Sequence, residues 1–209
     1  FPGLVANQGC AMATNRVGIC DRVIEKKAGE AAQLLPDFFY GTSKKLKPTN
    51  FDPECAKKLL AEAGYPNGFA MTLHGPNNRY INDANIVQAI AQMYSRIGID
   101  AKVETMPSAV YFTRATKLEF GYMVLGWGTE SGEQGSAMRS LLATFDASKG
   151  LGVTNRCRYS NPAFDKVLSD ALVTMDDKKR EAMIQQAAEM VMGDVGLIPL
   201  HYEVSTWAA

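Results

Sequence analysis

From Phe51 onward the apolar positions switch regularly between helical and strand spacing. Asp52 suits a helix N-cap and Pro53 the first helical position. Ala56, Leu59, Leu60 and Ala63 then repeat at helical intervals until Gly64 and Pro66. Phe69, Met71 and Leu73 alternate with Ala70 and Thr72, which predicts a half-buried strand, and the polar turn Gly75-Pro76-Asn77-Asn78 delivers Arg79 and Tyr80. Asn82 or Asp83 caps a helix carrying Ile86, Ile90, Met93 and Ile97 and closed by Gly98. Ile99, Ala101 and Val103 form the next strand. Pro107 opens a short helix through Tyr111 and Ala115, and the run Phe120 to Leu125 reads as a strand covered on both faces.

The flanking regions follow the same grammar less strictly. Asn15 to Ala28 predicts a helix with Ile19, Val23 and Ile24 on one face and Gly29 as its stop, followed by a connector through Leu34-Leu35-Pro36 and Lys44 to Asn50. Beyond the glycine-rich stretch Gly126 to Glu133, Met138 to Phe145 predicts a helix. Ser160-Asn161-Pro162 starts another, with Phe164, Val167, Leu168, Ala171 and Leu172 inward. Asp176 caps a last one, with Met183, Ile184, Ala187, Ala188 and Val191 inward and Gly193 as its stop, before the apolar segment Leu197 to Trp207. This alternation predicts an α/β fold with a layered mixed sheet flanked by helices. Residues 1–50 form a partial helix and connector, and residues 51–209 the α/β body, together one domain.

Composition narrows the functional classes. With 46% hydrophobic and 21% charged residues the chain is an ordinary globular one, and 22 basic against 22 acidic side chains leave no electrostatic footprint for a nucleic-acid backbone. No apolar run approaches the roughly 20 residues that span a bilayer. Phe1-Pro2-Gly3 has neither an initiator Met nor a basic lead into an apolar segment, so no signal peptide is expected here and the chain reads as a piece of a longer one. Cys10, Cys20, Cys55 and Cys157 show no Cys-x-x-Cys spacing and the two histidines, His74 and His201, lie far apart, so no metal and no cofactor is expected. Spacing alone leaves open whether Cys10 and Cys20 are bridged.

Two places suggest chemistry. The loop Gly126-Trp127-Gly128-Thr129-Glu130-Ser131-Gly132-Glu133 follows an apolar strand, but its third glycine is misplaced for a dinucleotide fingerprint, so it is either a plain sheet-edge turn or a ligand-facing strand end. Arg79 closes the turn after another strand. It is either a solvated loop residue or a carboxylate anchor, since a guanidinium grips a carboxylate with two parallel hydrogen bonds while a carboxylate such as Glu130 accepts from an ammonium. A hydrolase with a Cys or Ser nucleophile is the alternative. It requires one of these beside a histidine, whereas both histidines sit in strand-like apolar segments.

The segment Phe51-Asp52-Pro53-Glu54-Cys55-Ala56-Lys57-Lys58-Leu59-Leu60-Ala61-Glu62-Ala63-Gly64-Tyr65-Pro66-Asn67-Gly68-Phe69 resembles, almost position for position, the solute-binding proteins of ABC transporters for peptides, the dipeptide, oligopeptide and nickel-binding group. Ala13-Thr14-Asn15-Arg16 with Ile19 and Val23, Ile97-Gly98-Ile99 with Val103-Glu104, the strand into Gly126-Trp127, and Arg158-Tyr159-Ser160-Asn161-Pro162-Ala163-Phe164-Asp165 are similar too, so the resemblance covers almost the whole chain.

The resemblance implies one lobe, the C-terminal one, of a two-lobe type II periplasmic binding protein, with no catalytic activity. It implies capture of a peptide or related small solute in an interlobe cleft, and delivery to the ABC permease subunits. The partners would be that solute, the permease and the missing N-terminal lobe. The location would be periplasmic, or extracellular and membrane-anchored in a bacterium with no outer membrane. Arg79 stands where dipeptide binders hold the ligand carboxylate and Glu130 nearest to where they hold the ammonium, with Tyr80 and Trp127 as apolar walls. The family's usual Gly-Trp-…-Asp-…-Asp-Pro has become Gly126 to Gln134 without its proline and with a longer acid. Cys157 falls where some dipeptide binders have a disulfide cysteine, but no cysteine stands near Thr144, so it is read as unpaired.

Overall fold

The structure is a computed structural model that describes residues 3–26 and 28–204. It divides into two compact units, one from residues 1–30, 49–126 and 200–209, the other from residues 31–48 and 127–199.

The first unit contains α1 (Leu4–Ala13), α2 (Arg16–Gly18) continued by a π-helical turn at Ile19–Val23, β1 (Ala28–Glu30), α3 (Pro53–Glu62), β2 (Ala70–Pro76), α4 (Asp83–Ser95), β3 (Asp100–Met106), α5 (Ser108–Thr116), β4 (Tyr122–Met123) and β5 (His201–Glu203). Its main sheet has the order β3-β2-β4 and is parallel throughout. Ala70 stands opposite Asp100 and Pro76 opposite Met106, while β4 pairs only with Leu73 and His74. A strand–helix–strand unit of this kind needs a crossover, and α4 supplies it. Its buried face, Ile86, Val87, Ile90, Ala91 and Tyr94, joins Leu73, Ile97 and Ile99 in the core. Two glycines allow that closeness. A Cβ at Gly75 would lie 2.3 Å from Val87 Cγ2. Gly68, at φ +73°, passes so near Gly98 that a Cβ there would overlap its carbonyl oxygen. A second cluster, Met106, Tyr111, Ala115 and Phe120, closes the C-terminal end of the sheet.

The second unit is built on α6 (Gln134–Leu141), α7 (Pro162–Val173) and α8 (Asp177–Gly193), whose inward residues Ala137, Met138, Leu141, Phe164, Leu168, Ala171, Ile184, Ala187, Ala188 and Val191 are buried. Gln134 is buried too. Its side chain accepts from Leu35 N–H and donates to the Gln33 side chain and the Gly41 carbonyl, while Gln33 exchanges two hydrogen bonds with the Ser43 backbone. A buried polar cluster with its bonds made fixes the 31–48 segment to α6.

The expected caps form. The Asp52, Asn161 and Asp176 side chains accept from the first-turn N–H groups of α3, α7 and α8. Several expectations need correction. The helix read over Asn15 to Ala28 ends at Val23, and Ala28–Glu30 instead pairs antiparallel with His201–Glu203, so Gly29 is a strand residue rather than a stop. Helix α1 was not expected. Its stretch is dominated by small and polar residues, and Gly9 and Ala6 let it lie against α3, where a Cβ at Gly9 would come 3.1 Å from the Ala56 carbonyl. The strand read over Phe120 to Leu125 shrinks to Tyr122–Met123, because β2 offers only two rungs on that side. The helix read over Met138 to Phe145 runs from Gln134 to Leu141. Within Leu197 to Trp207 only His201–Glu203 is strand, and Ser205 to Trp207 lie outside the described residues. All four cysteines are free thiols.

Candidate functional site

In the first unit the loop after β2 is braced along its length. Asn77 N–H donates to the Met106 carbonyl and the Asn78 side-chain oxygen accepts from Ser108 N–H. The decisive brace is Asp83. Asn82 holds the N-cap position of α4 in the left-handed region at φ +53°, so its side chain caps nothing and instead donates to the Val23 carbonyl. Buried Asp83 turns back, accepting from Arg79 N–H at 2.8 Å and Tyr80 N–H at 3.1 Å on one oxygen, and from Ala84 N–H at 2.9 Å on the other. Three backbone donors for one carboxylate hold Arg79 and Tyr80 in a fixed direction. The Tyr80 hydroxyl donates to the Gly126 carbonyl at 3.2 Å, and Gly126 has no room for a side chain because its Cβ would meet the Tyr80 ring at 2.5 Å. The Arg79 guanidinium is exposed, 5.2 Å from the centroid of the Tyr80 ring, and makes no hydrogen bond or ion pair among the described residues. Its backbone is fixed and its charge is unspent.

In the second unit Trp127 and Glu130 line an open cavity of about 340 Å³, together with Gly128, Thr129, Ser131, Ser136 and Ser140. Trp127 is 37% exposed, and the exposed Glu130 carboxylate has no partner among the described residues. Glu133, by contrast, is committed: its carboxylate accepts from Arg180, whose guanidinium lies 5.6 Å from the Tyr40 ring centroid, and Tyr40 brackets Glu133 through backbone bonds to Gly132 and Gln134. The loop from Trp127 to Gly132 therefore rises from an anchored base with Glu130 as its free acid.

Sequence reasoning named Arg79, Tyr80, Trp127 and Glu130. The structure places the first two in one unit and the last two in the other. It missed Asp83 as the brace, although an acid in the first helical turn just after Arg79 and Tyr80 was visible, and it missed the hydroxyls of Thr129, Ser131, Ser136 and Ser140. Neither histidine sits in a nucleophile–base arrangement. His74 stacks on Phe120 at 4.1 Å, with Nδ1 3.2 Å from the Tyr122 carbonyl and Nε2 3.4 Å from Glu104, whose carboxyl is held below its usual range by the hydrogen bond from Arg114. His201 is buried enough that its pKa is lowered, and its Nδ1 has no partner among the described residues. Thr144, where a cysteine partner for Cys157 is lacking, is held by Asp165 and Ser160.

The profile described as "Bacterial extracellular solute-binding proteins, family 5 Middle" matches residues 8–149. The chain belongs to this family. Heme-binding protein A of Haemophilus influenzae is 26% identical over 212 residues, covering 98% of this chain and 37% of the relative. Di/tripeptide-binding protein 1 of Pseudomonas aeruginosa is 29% identical over 203 residues, covering 96% and 37%. Among solved structures, the ABC transporter-associated periplasmic binding protein DppA from Helicobacter pylori, in complex with the peptide STSA, superposes with a TM-score of 0.88 at 26% identity, covering 95% of this chain and 38% of that one. The chain thus spans a little over a third of the length of the family-5 relatives it matches. These solute-binding proteins are not enzymes, and the hydrolase alternative is set aside on that ground. No helix among the described residues is long and apolar enough to cross a membrane.

Proposed function

We propose that the chain is a ligand-holding part of the substrate-binding component of an ABC importer, acting in the periplasm or on the outer cell surface and handing a peptide or related small solute to the membrane permease subunits. The observation that carries this reading is Arg79: a guanidinium with no partner of its own, on a backbone held by the buried Asp83 at the end of the central strand. Open parallel sheets bind ligands outside the carboxyl ends of their strands, and β2 ends there. In the first unit Arg79 takes a carboxylate and Tyr80 offers an aromatic wall. In the second, Glu130 accepts from a cationic or N–H-bearing group and Trp127 offers the indole face. The printed functions of relatives, among them dipeptide, glutathione and heme binding, support a small-solute cargo without choosing among them.

The test begins with native mass spectrometry of the protein purified from its host, to identify what it carries. Calorimetry then compares the wild type with Arg79→Ala. Losing one member of a desolvated charge pair costs about 2–5 kcal/mol, so affinity falls roughly 30- to several thousand-fold. An unchanged dissociation constant returns Arg79 to the solvated loop and overturns this assignment.

A further inference from the structure

The cavity of the second unit contains a small ring of oxygens whose protons do not add up. Thr129 Oγ1 lies 3.1 Å from Ser131 Oγ, Ser131 Oγ lies 3.1 Å from Ser136 Oγ, Ser136 Oγ lies 3.1 Å from the Glu133 carbonyl oxygen, and Thr129 Oγ1 closes the ring at 3.5 Å from that same carbonyl. Four contacts need four protons. Three hydroxyls supply three and a carbonyl supplies none, so in every arrangement one contact brings lone pairs face to face. Glu130 adds a carboxylate, another pure acceptor, and neither Lys nor Arg lines the cavity. The nearby Glu133 carboxylate is already occupied by Arg180. The cavity therefore has acceptors to spare, a negative charge and an exposed indole face.

We infer that this cavity takes a guanidinium group. It deepens the proposed function, resting on the reading of Glu130 and Trp127 as ligand-facing. A neutral hydroxyl does not relieve the imbalance, because it brings two lone pairs with its one proton. A guanidinium brings five N–H donors and no acceptor, and its planar face stacks on an indole. An ammonium has the right sign but is a point charge that leaves most of about 340 Å³ empty. A guanidinium with its methylene stem fills more of that volume and places donors on the ring and on Glu130 together. The group can reach the cavity as an arginine side chain of a peptide or as a free guanidino compound.

The experiment is a titration followed by NMR of the Trp127 indole N–H and the amides of residues 128–136. N-acetyl-arginine amide, whose only charge is its guanidinium, is compared with its neutral isostere N-acetyl-citrulline amide and with N-acetyl-lysine amide. The arginine probe is expected to saturate these signals with an affinity roughly fivefold or more above citrulline, the scale of an exposed ion pair plus a cation–π contact, and above lysine as well. Glu130→Gln is expected to remove most of that preference. Ser131→Ala, which lets Thr129 and Ser136 both donate to Glu133 with nothing left over, is expected to weaken arginine binding severalfold and leave the fold intact.

A Gly-Arg-Gly arm outbinding agmatine assigns the guanidinium to a peptide, and the reverse assigns it to a free guanidino compound; both support the proposal. Arginine and citrulline probes binding alike, while the zwitterion Ala-Ala still shifts residues 127–131, overturns the guanidinium and leaves the proposed function standing. If no probe moves these signals, the guanidinium proposal and the ligand-facing reading of Glu130 and Trp127 fall together.

Discussion

Asp83→Ala isolates the brace behind Arg79. The carboxylate is 4% exposed and spends its lone pairs on three backbone N–H groups at 2.8, 3.1 and 2.9 Å. Hydrogen bonds to a charged group are worth about 1.5–3 kcal/mol each, from which the carboxylate's own desolvation must be subtracted, and losing a helix-capping acceptor costs about 0.5–2 kcal/mol. Arg79 is exposed, so its N–H recovers a water, whereas Tyr80 and Ala84 are half-buried and recover less. The local cost of alanine therefore comes to about 2–3 kcal/mol, between a single cap and the sum of three charged bonds. Asparagine keeps one carbonyl oxygen for Arg79 and Tyr80 but turns an NH₂ toward the Ala84 N–H, so it recovers about half.

Two compact units need not unfold together, so residue-level amide exchange is a better readout than a global melt. Exchange at Tyr80 should accelerate roughly 30- to 150-fold in Asp83→Ala, the factor that corresponds to 2–3 kcal/mol, with Asp83→Asn intermediate. Amides of α7 and α8 in the other unit serve as the internal reference. An Asp83→Ala protein whose Tyr80 amide exchanges within about twofold of the wild type refutes the brace.

Three further predictions address stability. Gly68→Ala is expected to be far more damaging than Gly64→Ala: both sit at positive φ, but a Cβ at Gly68 overlaps the Gly98 carbonyl while Gly64 faces open space, so Gly64→Ala costs only the about 1–2 kcal/mol of left-handed strain and the two urea midpoints should separate clearly. Arg180→Ala strands the mostly buried Glu133 carboxylate under the ligand loop; a loss of about 1–3 kcal/mol is expected in urea denaturation, with Glu133→Gln added to it restoring most, and an unaffected single variant would show the pair to be inert. His201 has its pKa lowered by burial, so the folded state binds fewer protons than the unfolded one below about 6.5 and stability falls as pH drops through that value; His201→Gln is expected to flatten the wild-type decline between about pH 7.5 and 5.5, and an unchanged slope would deny that linkage.

Local chemistry with a short range was the part of this chain most legible in the sequence. Asp52-Pro53, Asn161-Pro162 and Asp176 carry their own caps, and a cap needs only the next three residues, so α3, α7 and α8 start where the sequence puts them. Elements whose existence depends on a distant partner were illegible for the complementary reason. Ala28–Glu30 is a strand only because His201–Glu203 lies beside it, 173 positions further on by Ala28 to His201, and nothing in Ala-Gly-Glu announces that. The same distinction separates the site residues. Arg79 and Glu130 were visible because charges after strand ends are visible, but what makes them usable is relational. Arg79 is available because Asp83 holds its backbone and takes nothing from its guanidinium, and Glu130 is available because Arg180 has already claimed Glu133. A charged side chain becomes a binding group when the residues around it satisfy its backbone and leave its head unpaired, and that condition is a property of three-dimensional bookkeeping among Asp83, Arg180 and their neighbours rather than of any motif.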